Sequence, residues 1–84
     1  MQLGLVVGTA YATVKHDSMA GQKLLVVQPQ LVDQRPDGDP VLAIDAVGAG
    51  VGEAVMMTSD GREARRRLGV EVTPVRWTVV GIKD

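Results

Sequence analysis

Few residues in this chain could do chemistry, and each set stops short of a reaction. Asp45 and Glu53 flank the stretch Ala46-Val47-Gly48-Ala49-Gly50-Val51-Gly52. Two carboxylates around a cleft could hydrolyse a glycoside. A sugar site also wants aromatic platforms, and the chain holds one tyrosine, one tryptophan and no phenylalanine. The plainer work for Asp45 and Glu53 is to accept hydrogen bonds from loop amides, or to pair with an arginine across a subunit boundary. His16-Asp17 could form an acid–base pair, but neighbours on a turn rarely face each other and no nucleophile accompanies them. They read as solvated turn residues. The glycines imitate a dinucleotide loop, which requires G-x-G-x-x-G between a strand and a helix. Gly48 and Gly50 fit, but Glu53 stands third, and Ala54-Val55-Met56-Met57-Thr58 reads as another strand. Arg62, Arg65, Arg66 and Arg67 form the basic cluster. At i, i+3 and i+4, Arg62, Arg65 and Arg66 share a helix face. That face could meet a phosphate, or simply be solvated near a helix C-terminus, where cations are favoured.

The elements that hold these residues are mostly strands. From residue 3 to 14, Leu3, Leu5, Val7, Thr9, Tyr11 and Thr13 alternate with Gly4, Val6, Gly8, Ala10, Ala12 and Val14. A period of two over this length predicts a long strand. Gly4 and Gly8 mark a barrel corner or a close approach of another backbone. A polar turn over 15–21 leads to a second strand over 23–28, and Gln34-Arg35-Pro36-Asp37-Gly38-Asp39-Pro40 is a loop. Strands over 41–46 and 53–58 flank the glycine loop. Ser59-Asp60-Gly61 offers capping oxygens for a short helix over 62–68, closed by Gly69. A last strand covers 77–82, with Trp77 packing in the core or at an interface. In Met56-Met57 one side chain faces inward and one outward. The pattern predicts an all-β fold, a five-stranded OB-like β-barrel with one short helix.

The 84 residues form one domain, and a domain this small is marginally stable alone. The chain has no cysteine and one histidine, so disulfide and zinc staples are not expected. Oligomerisation is the remaining support. A net charge of −1 gives no footprint for nucleic acid. No apolar run approaches the ~20 residues that span a bilayer. The start lacks the pattern of a signal peptide, so a cytoplasmic protein is expected.

Longer blocks then carry a family resemblance. They are Gly8-Thr9, Thr13-x-Lys15, Gly21-x-Lys23-Leu24-Leu25-Val26-Val27-Gln28-Pro29, the whole of 45–53, Gly61-Arg62-Glu63-Ala64-Arg65, and Val79-Val80-Gly81-Ile82-Lys83-Asp84. In their order and spacing the chain resembles the bacterial microcompartment vertex proteins, the EutN/CcmL-type shell subunits. It departs at Arg62, where a small serine is usual, at Arg66-Arg67, and at Trp77.

The resemblance implies a barrel subunit that closes into a cyclic homopentamer and plugs the five-fold vertices of a polyhedral shell. Its partners would be its own copies and the hexameric and trimeric shell proteins, with no nucleic acid and no membrane. It implies a cytoplasmic shell that encloses enzymes, and a structural role without catalysis, cofactor or metal. Gly48-Ala49-Gly50 is then expected to be a tight connection where backbones approach closely near a subunit interface, as glycine allows. Gly48, Ala49, Gly50 and Glu53, with Ser59, Asp60 and Gly61, are the interface or pore candidates. Arg62, Arg65 and Arg66 are candidate contacts to neighbouring shell tiles. The alternative is an OB-type oligonucleotide-binding domain using the arginine cluster. Such domains combine a positive groove with several stacking aromatics, and here only Tyr11 and Trp77 are available.

Overall fold

The small residues of the first strand turn inward and the large ones outward. In the computed structural model, which describes residues 1–11, 23–59 and 75–83, β1 covers Gln2–Tyr11. Gly4 and Val6 are buried, whereas Leu3 and Leu5 are half-buried and Val7 and Tyr11 are exposed. Four strands complete the fold: β2 (Lys23–Gln30), β3 (Val41–Asp45), β4 (Ala54–Thr58) and β5 (Trp77–Ile82). They close a barrel in the order β1-β2-β3-β5-β4. All neighbours are antiparallel except β3 and β5, which run parallel. Closure leaves no free sheet edge within the barrel.

A five-stranded barrel has a narrow interior, which is why β1 presents glycine there. A Cβ at residue 4 would collide with Val27 Cγ1 and crowd Gln28 O and Met57 Cε, each 3.2 Å away. Val6, Leu25, Val27, Ala43, Ala49, Val55, Met57 and Val79 fill the core, with Val41, Trp77 and Ile82 packed against it. Each fully buried valine, leucine or methionine among them contributes roughly 1.5–3 kcal/mol. Met57 is buried and Met56 is exposed, and Trp77 packs against the core, as the sequence predicts.

β1 bends at a bulge. Val6 pairs with Val27 and Gly8 with Val26, so Val7 is the extra residue and faces out. β2 runs two residues past its expected end, through Pro29. Its pairing with β3 stops at Val27. The Pro29 carbonyl accepts the Asp37 amide at 2.9 Å, on the side away from β1. The missing N–H of Pro29 shares that side, so no ladder bond is lost. Among the described residues there is no helix; the helix expected over 62–68, and residues 12–14 of the first strand, lie outside them.

Candidate functional site

The loop over 46–53 is held together by the two carboxylates that flank it. Asp45, the last residue of β3, accepts three successive amides on one oxygen: Val47 at 3.0 Å, Gly48 at 2.8 Å and Ala49 at 3.2 Å from Oδ1. Amides converging on one anion are stronger than neutral pairs. They fold the chain over so that Ala49 drops into the core. Glu53 closes the second half. Its Oε1 accepts the Gly50 amide at 2.6 Å, and its own amide donates to Gly50 O at 3.1 Å.

The 50–53 turn carries Gly52 at φ +92, the positive φ a type II turn needs at its third position. The turn is stitched to β1: Gly52 N donates to Val6 O at 2.8 Å, and Val6 N to Glu53 O at 3.0 Å. So the loop is fastened to β3 by Asp45 and to β1 at the bulge. Of the two roles read for these carboxylates from the sequence, acceptance of loop amides is the one seen within the chain.

Within one subunit the glycines answer to backbone conformation. Nothing lies within 4 Å of a Cβ placed at Gly48, and only Glu53 Oε1, at 3.4 Å, meets one at Gly50. Within the chain, the close approach is at Gly4. Gly48 and Gly52 are required for their positive φ, +77 and +92. Ser59 is exposed just after β4. Asp60, Gly61, Arg62, Arg65 and Arg66, together with His16 and Asp17, lie outside the described residues.

A feature that composition did not announce is the 31–40 loop. Leu31 N donates to Arg35 O and Gln34 N to Leu31 O, both at 2.9 Å. Three glutamine side chains fasten the surroundings: Gln28 Nε2 to Gly38 O and Gln2 Nε2 to Gln30 O at 2.9 Å, and Gln30 Nε2 to Gln34 O at 3.2 Å. The contacts join residues as far apart in sequence as Gln2 and Gln30, so no spacing in the sequence announced them.

These features define a class: a small five-stranded OB-like barrel whose 46–53 loop is closed on its own two carboxylates. The chain belongs to the EutN/CcmL family of microcompartment shell vertex proteins, whose sequence model, described as "Ethanolamine utilisation protein EutN/carboxysome", matches residues 1–84. It is 42% identical to the shell vertex protein EutN of Salmonella typhimurium over 84 residues, all of this chain and 84% of the relative. It is 42% identical to the carboxysome shell vertex protein CcmL of Gloeobacter violaceus over 88 residues, covering 83% of that protein. The pentameric microcompartment shell protein GrpN of Rhodospirillum rubrum superposes with a TM-score of 0.79 at 38% identity, over all of this chain and 94% of that one.

Proposed function

We propose that five copies of this subunit close into a ring that caps the five-fold vertices of a bacterial microcompartment shell. The observation that carries this reading is the end-to-end likeness to pentameric GrpN. The ring is a scaffold. Five-fold tiles introduce curvature that flat arrays of hexamers lack, and the shell then encloses metabolic enzymes. The relatives are named as shell proteins, which supports a role without catalysis. The contacts are heterologous and close on themselves, so the assembly stops at five. Ring formation also gives a small barrel the buried area it lacks alone.

In this reading the hexameric and trimeric shell proteins are the outer partners. Gly48, Ala49, Gly50 and Glu53, with Ser59, Asp60 and Gly61, face ring neighbours or the central opening. Arg62, Arg65 and Arg66 meet adjoining tiles.

Native mass spectrometry tests the ring. One species at about 45 kDa, five times the 8.9 kDa subunit, is expected. A stable monomer overturns the proposal. Co-expression with hexameric shell proteins should then give closed particles, and open sheets or tubes when this chain is omitted.

A further inference from the structure

Asp33, Asp37, Asp39 and Asp45 lie among the described residues, and Asp37 differs from the others in what its neighbours leave free. Asp33 is bound to Arg35 at 2.6 Å, and the amide that follows it, Gln34 N, donates to Leu31 O at 2.9 Å. Asp45 receives three loop amides on Oδ1, and the amide after it, Ala46 N, donates to Val79 O at 3.3 Å. Asp39 precedes Pro40, which has no N–H.

Asp37 precedes Gly38, and both are exposed. Among the described residues nothing hydrogen-bonds the Asp37 carboxylate or the Gly38 amide. Nothing lies within 4 Å of a Cβ placed at Gly38, so its nitrogen is open to approach. The groups on either side are anchored instead. Asp37 N donates to Pro29 O, and Gln28 Nε2 to Gly38 O, both at 2.9 Å.

We propose that Asp37-Gly38 is a site of spontaneous covalent modification, at which aspartate isomerises to isoaspartate. The Gly38 nitrogen attacks Cγ of Asp37. An N–C bond forms, the amide proton and the carboxyl hydroxyl leave as water, and a succinimide ring closes. Water then adds back. Breaking the nitrogen's bond to Cγ restores aspartate, whereas breaking its bond to the main-chain carbonyl carbon leaves the chain running through Cβ and Cγ. No oxidant, reductant or co-reactant other than water enters, and the mass is unchanged. The product has an extra backbone carbon between two anchors set for an ordinary peptide. The Asp37–Pro29 and Gln28–Gly38 bonds no longer fit together, and the 31–40 loop loosens as the protein ages.

The chain has no asparagine, so its isoaspartate comes from aspartate alone. The assembled protein is aged in neutral buffer until a synthetic peptide of residues 34–41 has isomerised measurably. Labelling with an isoaspartyl carboxyl methyltransferase detects the product, and electron-transfer fragmentation locates it. Location separates it from Asp60-Gly61, the other Asp-Gly pair, which lies outside the described residues. Isoaspartate is expected at position 37 and not at 33, 39 or 45. In Asp37→Glu the signal at 37 is lost, because closure then needs a larger ring that forms more slowly; the variant keeps the charge and the amide that bonds Pro29. Hydrogen exchange over 31–40 is expected to be faster in the aged parent than in aged Asp37→Glu. An unmodified position 37, or isoaspartate at 33 or 45 to the same extent, overturns the site. Modification at 37 with unchanged exchange overturns the loosening.

Discussion

Glu53 and Gly50 are bound to each other twice, side chain to amide at 2.6 Å and amide to carbonyl at 3.1 Å. The second bond is the ordinary closure of a turn. The first is charge-assisted and part-buried, and it ties the turn that is stitched to β1 at Val6. Removing the carboxylate leaves the Gly50 amide without its acceptor. Glu53→Ala is expected to destabilise the protein by about 1–3 kcal/mol, and Glu53→Gln, which keeps an acceptor, by less. Urea melts at matched protein concentration measure this, since assembly makes the midpoint concentration-dependent. Equal losses for the two variants would show that the charge, and not the acceptor, is what the turn uses.

Gly4 and Gly8 look alike in sequence and differ in what surrounds them. Gly4→Ala drives a methyl into Val27, Met57 and the Gln28 carbonyl in a closed interior, and overpacking of this kind costs about 1–3 kcal/mol. At Gly8 the nearest atom to an added Cβ is Val26 Cβ at 3.7 Å, an ordinary contact. Gly8→Ala is expected to be neutral or to stabilise by up to about 1 kcal/mol through the unfolded chain. Thermal melts of the pair, read side by side, check the contrast. Comparable destabilisation by both would show that a neighbouring copy crowds Gly8 as well.

Thr78 is fully buried on β5, between Ile44 on β3 and Thr58 on β4. Among the described residues, none hydrogen-bonds its Oγ1. An unsatisfied buried hydroxyl carries a desolvation cost of about 1–3 kcal/mol. Thr78→Val keeps the branched shape that a strand favours and removes that oxygen. The variant is expected to melt higher than the parent. A clear loss of stability would mean that the hydroxyl finds a partner in the assembled protein.

Much of the barrel was legible because strands announce themselves by period. The alternation around Val6, the apolar run at Leu24-Leu25-Val26-Val27 and the burial of Met57 beside exposed Met56 all follow from it. What a period lacks is a sign. Leu3, Leu5 and Val7 have the bulk of core residues, yet the interior takes Gly4 and Val6, because five strands leave room for little more than Val27 and Met57 between them. The glycine loop was legible in its acceptors, Asp45 and Glu53. Its glycines were ambiguous, since close packing and positive φ select the same residue type, and the backbone shows the second requirement at Gly48 and Gly52. The 31–40 loop was visible as a loop, but not as a rigid one. Its order depends on Gln2, Gln28 and Gln30 reaching carbonyls that sequence spacing alone does not bring near.

Gly50 offers the sharpest test of where the glycine loop sits in an assembly. Its φ is outside the left-handed range, so a side chain there is not strained by the backbone. Within the subunit an added Cβ meets only Glu53 Oε1 at 3.4 Å, the end of a flexible side chain that can yield by a few tenths of an ångström. A folded Gly50→Leu barrel is therefore expected. If the loop abuts a neighbouring copy, as the ring reading proposes, the leucine has no room there and the 45 kDa species gives way to a subunit of 8.9 kDa. Gly50→Ala, carrying the smaller group, should retain more of the ring. Sizing of both variants, with circular dichroism to confirm the barrel, decides the matter. A Gly50→Leu protein that still assembles places the loop away from the subunit boundary.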